Sequence, residues 1–139
     1  MKNHATLKVE SPAGPGLRFE VHTGRVTFHL NSGPDVSDPS PTQVFMSSAA
    51  ACTGMDVISI LRKKRQHVTS YQIDVEGERA DEHPRRFLKL TFVHRFTGVD
   101  LSRDAVAEAI RLSEEKYCSV MATLRGAVEL VTSFEITAG

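Results

Sequence analysis

The stretch that decides the fold is SPTQVFMSSAAACTGMDVIS, residues 40–59. Its first residue, Ser40, is a candidate N-cap, Pro41 suits the first helical position, and Gln43 completes an S-x-x-Q capping box. Nothing up to about Arg65 interrupts the pattern decisively, apart from one threonine–glycine pair. The sequence therefore predicts one long helix that carries a cysteine, Cys52, near its middle.

The apolar and small residues of this helix recur at helical spacing, which favours a buried face. The positions that share this spacing are Val44, Phe45, Ser48, Ala51, Cys52, Met55, Ile58 and Ser59. A free cysteine in such a helix is often a small packed hydrophobe. The pattern of the helix alone therefore leaves Cys52 open to either a structural or a chemical interpretation.

Strands are predicted before this helix. Residues 5–10 read as a short strand, and SPAGPG (11–16) is a turn built from proline and glycine. Alternating apolar residues over 17–30 predict a hairpin that turns at Thr23–Gly24. A loop is expected over Asn31–Pro41.

More strands and two shorter helices are predicted after the long helix. Residues 71–80 and 85–98 read as two long strands joined by ADEHP, and residues 128–136 as a final strand. A second helix begins at 100–102, with a buried stripe at Val106, Ala109, Ile110, Ser113 and Tyr117. Cys118–Ser119 is a candidate cap for a short third helix ending at about Arg125. These elements predict a single α+β domain over residues 1–139, with strands mostly paired as antiparallel hairpins.

Composition argues against several function classes. Lys plus Arg and Asp plus Glu each number 17, so the formal charge is zero and nothing global favours nucleic acid or an anionic membrane. The N-terminus, MKNHATLKVE, lacks the apolar region of a signal peptide, and no uninterrupted apolar run is long enough for a transmembrane helix. We therefore expect a cytoplasmic protein. The six histidines show none of the usual zinc spacings, so no metal is predicted.

The two cysteines, Cys52 and Cys118, are the main candidates for chemistry. A permanent structural disulfide is not expected in a reducing cytosol. The remaining alternatives are two inert thiols or a redox pair that opens and closes.

The order of elements and three segments resemble the OsmC/Ohr family, named for osmotically inducible protein C and organic hydroperoxide resistance protein. The segments are PTQVFMSSAAACTGMD (41–56), GERADEHPR (77–85) and EKYCSV (115–120). The resemblance covers nearly the whole chain. It implies an intertwined homodimer in which a long central helix packs against antiparallel sheets made by both chains.

The resemblance also implies a thiol-dependent peroxidase. Cys52 would attack a hydroperoxide and become a sulfenic acid, and Cys118 would resolve it to a disulfide. A lipoyl-type or other dithiol would then reduce the pair, so an external reductant is expected and no bound cofactor.

The family pattern further implies an arginine that stabilises the thiolate, held by a glutamate on the cysteine helix. Thr42 stands at the glutamate's position. The arginine's position falls near the SPAGPG turn, where no arginine stands; Arg18 and Arg25 lie nearby, and Arg18 is the candidate. Two other functions stay open: an OsmC-like dimer that binds a small hydrophobic ligand or senses redox state, and a dimeric scaffold with inert thiols.

Overall fold

The structure, a computed structural model, describes residues 1–33 and 36–139. These residues form two compact units, 1–45 and 46–139. The loop predicted over Asn31–Pro41 includes Pro34 and Asp35, which lie outside the described residues. The expectation that residues 1–139 act as a single domain stays a prediction.

The first unit contains a three-stranded antiparallel sheet. Its strands, in spatial order, are β1 (Thr6–Val9), β2 (Phe19–Thr23) and β3 (Val26–Leu30). The β2–β3 turn needs a positive φ, which Gly24 supplies at 56°. The register places Glu20 on β2 directly opposite His29 on β3. The predicted hairpin is therefore confirmed.

The long helix α1 spans Pro41–Lys63 and begins as predicted. The backbone N–H of Gln43 donates to Oγ of Ser40 at 3.2 Å, and the backbone N–H of Ser40 donates to Oε1 of Gln43 at 2.9 Å. This reciprocal pair is a capping box, which satisfies two backbone donors at the helix start.

The second unit is built on the sheet of β4 (His67–Arg79), β5 (Phe87–Val99) and β6 (Glu129–Ala138), with β5 in the centre. Strands β4 and β5 form the predicted antiparallel hairpin. β6 departs from the antiparallel prediction because it lies parallel to β5. A parallel neighbour requires a long crossover, and the helical segment between β5 and β6 provides it.

That crossover holds α2 (Arg103–Leu112), a π turn (Ser113–Tyr117) and α3 (Ser119–Leu124). Ser102 caps α2 by accepting the backbone N–H of Ala105 at 3.2 Å. The stripe predicted for α2 is buried except at Tyr117, which is 53% exposed. That prediction is wrong because the π turn adds a residue per turn and breaks the helical spacing.

The core of the second unit forms where α1 and α2 cover the sheet. Its buried residues are Val57, Leu61, Phe96, Val106, Ala109 and Ile110. The α+β class is confirmed.

By length and composition α1 also passes as a candidate membrane span, with a mean hydropathy of 1.6. Polar residues within α1 interrupt its apolar run, which kept this segment from being identified from the sequence. The helix buries Ala49, Ala50, Thr53, Gly54, Val57 and Leu61 inside the fold. About a third of the apolar window is buried inside the fold, at 33%.

Candidate functional site

The two cysteines lie on different elements of the second unit. Cys52 is in the middle of α1 and is partly buried, whereas Cys118 lies between the π turn and α3 and is 1% exposed. Both side chains are free thiols.

The fold brings these two thiols together. The Cys118 thiol lies close enough to the Cys52 thiol for Cys52 to raise the pKa of Cys118. This contact links the middle of α1 to the crossover before β6. The pairing that the family resemblance implies is therefore matched by adjacent side chains.

Burial raises the pKa of the Cys118 thiol to about 11, and the neighbouring Cys52 thiol acts in the same direction. Cys118 is the N-cap of α3, as predicted, and its sulfur accepts the backbone N–H of Met121 at 3.4 Å. That bond favours the thiolate, but burial outweighs it. The net direction is a raised pKa, which favours the protonated thiol of Cys118.

The π turn sets the position of Cys118. The backbone N–H of Cys118 donates to the carbonyl oxygen of Ser113 at 2.8 Å, which closes a turn of five residues. π turns are rare and often occur at functional sites. Here the turn ends α2 and presents the Cys118 side chain toward α1.

Ser113 holds this turn against α1 through buried hydrogen bonds. Its hydroxyl donates to Oδ2 of Asp56 at 3.0 Å and lies 2.8 Å from Oγ1 of Thr53. Because the Ser113 hydroxyl donates its proton to Asp56, the Thr53 hydroxyl is the donor of the bond between Thr53 and Ser113. Thr53 and Ser113 are both fully buried, so these bonds fix the two elements at the level of the thiols.

Two open grooves flank α1 within the second unit. One, of about 390 Å³, is mainly apolar and is lined by Ala50, Ala51, Gly54, Met55, Ile58, Tyr71 and Ile73. The other, of about 360 Å³, is lined by Asp56, Ser59, Ile60, Lys63, Lys64, Leu112 and Tyr117. Met55, one turn from Cys52, is 70% exposed in the apolar groove.

A buried polar pair lies on the sheet of the second unit. Tyr71 Oη and Nδ1 of His94 share a hydrogen bond of 2.7 Å, and both rings stack with Phe96. Among the described residues, Nε2 of His94 has no hydrogen-bond partner. Burial lowers the pKa of His94 to about 4 and raises the pKa of Tyr71 above its usual value.

Arg18 belongs to the first unit, where two carboxylates hold it. Its Nε donates to Oδ2 of Asp38 at 2.7 Å, and its Nη1 donates to Oε1 of Glu10 at 2.7 Å. Asp38 raises the pKa of Arg18 most strongly, followed by Glu10. Thr42 contacts the capping serine, with 3.2 Å between its Oγ1 and Oγ of Ser40. Carboxylates therefore hold the candidate arginine, but they come from Asp38 and Glu10 rather than from the position of Thr42.

Sequence reasoning did not identify Thr53, Asp56 and Ser113 as site residues. Their hydrogen bonds join segments about sixty positions apart, and the spacing of residues along the chain carries no signal for such a contact. The capping role of Cys118 was predictable because it precedes a short helical segment.

Both the sequence and the fold of this chain are similar to those of known proteins. Residues 33–133 match the family described as OsmC-like protein. Protein YhfA of Escherichia coli K12 is 42% identical over 108 residues, which are 78% of this chain and 79% of that protein.

Solved structures share the fold. A hypothetical protein from Aquifex aeolicus VF5 is 27% identical, with a TM-score of 0.87 over 100% of this chain and 98% of its own. The organic hydroperoxide resistance protein OhrB of Bacillus subtilis is 16% identical, with a TM-score of 0.62 over 97% and 98% of the two chains. At that identity the likeness concerns the fold.

Proposed function

Because this chain belongs to the OsmC-like protein family, we propose that it is a thiol-dependent peroxidase that reduces organic hydroperoxides in oxidative-stress defence. Cys52 is the peroxidatic residue and Cys118 the resolving residue. The observation that carries the proposal is the proximity of these two free thiols, which influence each other's titration. Organic hydroperoxide resistance proteins among the structures that share the fold support the same role.

The first step is nucleophilic attack by the Cys52 thiolate on the distal oxygen of the hydroperoxide. The O–O bond breaks and a Cys52 sulfenic acid forms, while the remaining alkoxide takes a proton and leaves as an alcohol. The partial exposure of Cys52 supports this assignment, because a peroxidatic sulfur must meet its substrate.

The second step joins the two cysteines. The sulfur of Cys118 attacks the sulfenic sulfur, an S–S bond forms, and the hydroxyl group leaves with the Cys118 proton as water. The high pKa of Cys118 suits this order, because a protonated and buried thiol does not compete for peroxide. A dithiol, such as a lipoyl group, then reduces the disulfide by thiol–disulfide exchange and becomes a disulfide itself.

The apolar groove beside α1 supports an organic rather than an inorganic peroxide. Its lining is mainly apolar and includes Met55, which follows Cys52 by three residues. We propose that the alkyl part of the substrate occupies this groove. The protein is expected to act as a cytoplasmic homodimer.

Steady-state turnover tests the proposal. Wild-type protein is supplied with cumene hydroperoxide and dihydrolipoamide, and consumption of the peroxide is followed beside Cys52→Ser and Cys118→Ser. We expect turnover in the wild type, none above background in Cys52→Ser, and a trapped Cys52 sulfenic acid in Cys118→Ser. Equal consumption by the wild type and Cys52→Ser would refute the peroxidase function.

The alternative function, a dimer that binds a small hydrophobic ligand, is favoured by the same apolar groove. Native mass spectrometry of the protein as purified tests it. A retained small molecule, combined with absence of peroxide turnover, would favour ligand binding over catalysis.

A further inference from the structure

Three side chains of the first unit converge above its sheet, apart from the thiol chemistry. Glu10 follows β1, Glu20 lies on β2 and His29 lies on β3. One ligand atom from each lies within 4.8 Å of the others. We name these residues the carboxylate–imidazole cluster.

We propose that the carboxylate–imidazole cluster is a binding site for a divalent transition-metal ion of the zinc type. The donor set is one imidazole nitrogen and two carboxylate oxygens, which zinc accepts readily. The proposal does not rest on the proposed peroxidase function, although its ligand Glu10 also pairs with Arg18.

The spacing of the donor atoms fits a zinc ion. Nε2 of His29 lies 3.4 Å from Oε1 of Glu10 and 3.6 Å from Oε2 of Glu20. Tetrahedral zinc with bonds of about 2.0–2.2 Å places its ligand atoms about 3.3–3.6 Å apart. The three side chains are thus close to the separation that a shared ion requires.

A further hydrogen-bond chain orients Glu20. Nε2 of His22 donates to Oε1 of Glu20, which leaves Oε2 to face His29. The Thr27 hydroxyl donates to Nδ1 of His22 at 3.0 Å and so fixes the imidazole. Ligating carboxylates are commonly held by such outer hydrogen bonds.

The charge around the cluster also favours a divalent cation. Glu10 pairs with Arg18, and Arg18 pairs in turn with Asp38. Glu20 adds a third carboxylate beside His29, while Lys8, its cross-strand partner on β1, adds a second positive charge. The carboxylates therefore outnumber the cationic side chains by one, and Arg18 would keep Asp38 as its partner when Glu10 turns to the ion.

Zinc titration by calorimetry tests the proposal on the full chain. The protein carries Cys52→Ser and Cys118→Ser, because two adjacent thiols would bind zinc themselves. We expect one Zn²⁺ ion per chain. His29→Gln and Glu20→Gln in this background should each weaken binding by at least about tenfold, since even outer-shell changes cost that much.

His67→Gln is the matched control, because His67 is an exposed histidine of the second unit. It should leave the affinity unchanged, and Mg²⁺ should not displace the bound zinc. Absence of binding in the thiol-free chain, or binding that survives both His29→Gln and Glu20→Gln, would overturn the proposal. If the thiol-free chain does not fold, the comparison is made in the wild type, where His29→Gln should remove one of the bound ions.

Discussion

Ser113 donates a hydrogen bond to Oδ2 of Asp56 at 3.0 Å, and this bond ties the π turn to α1. The carbonyl group of the same serine accepts the backbone N–H of Cys118. One residue therefore connects the helix of Cys52 to the backbone of Cys118. The position of the second thiol depends on this buried link as much as on its own packing.

The first prediction concerns that link. Ser113→Ala should destabilise the fold by about 1–3 kcal/mol, because it leaves buried polar groups without a partner. It should also slow formation of the Cys52–Cys118 disulfide while the sulfenic acid forms at the wild-type rate. Rapid-mixing experiments with a sulfenic-acid probe separate the two steps, and denaturant unfolding gives the stability.

Ser119→Ala is the control for this prediction, because Ser119 is exposed and directly follows Cys118. It should resolve the sulfenic acid as the wild type does. An unchanged rate of disulfide formation in Ser113→Ala would show that Ser113 contributes to stability without positioning Cys118.

A second prediction concerns the edge of the second sheet. A Cβ atom at Gly98 would lie 2.2 Å from the carbonyl oxygen of His67 and 2.9 Å from Cδ1 of Leu101. The carbonyl belongs to the backbone of β4 and cannot rotate away, so Gly98→Ala should cost about 1–3 kcal/mol in unfolding free energy. At Gly16 a Cβ atom meets nothing within 4 Å, so Gly16→Ala should cost little in the same urea titration.

A third prediction concerns the pH dependence of stability. Burial lowers the pKa of His94 from 6.5 to about 4, so between these values the unfolded chain takes up a proton that the folded chain excludes. The contribution of neutral His94 is complete above about pH 6.5 and is lost as the pH falls toward 4. The total loss is about 3 kcal/mol.

Unfolding free energies measured from pH 7 to pH 4 check this contribution. His94→Gln should flatten the dependence over that interval, whatever its effect on stability at pH 7. The exposed His67→Gln should leave the dependence as it is. A slope that persists in His94→Gln would assign the effect to other groups.

A fourth prediction concerns Arg18, the nearby candidate for the arginine that the family resemblance implies. Arg18→Met should slow the reaction of Cys52 with cumene hydroperoxide by at least about tenfold if the guanidinium stabilises developing charge. Arg25→Met is the matched change on the neighbouring turn and should leave the rate unchanged. Equal rates in Arg18→Met and the wild type would show that Arg18 does not stabilise the reacting thiolate.

Much of the fold could be predicted from the sequence, because it depends on local signals. The capping box of Ser40 and Gln43, the hairpin over 17–30 and the cap of α3 at Cys118 are all set by residues close together in the chain. The resemblance to the OsmC/Ohr family is confirmed on the same segments.

The remaining features depend on contacts distant in sequence or on a break in periodicity. The π turn shifted Tyr117 to the surface, and β6 paired in parallel because of the crossover. The spacing of histidines along the chain does not reveal the carboxylate–imidazole cluster, because its three residues come from separate segments of the first sheet. The bond of Ser113 to Asp56 has no local signal.

The measurement that tests the account most directly is disulfide formation after one equivalent of cumene hydroperoxide. The reduced wild-type protein is treated without reductant, digested under conditions that preserve disulfides, and analysed by mass spectrometry. We predict one peptide pair joined through Cys52 and Cys118, with loss of two hydrogen atoms and release of one equivalent of alcohol. Two thiols that remain free, or oxidation that leaves Cys52 unmodified, would contradict the account.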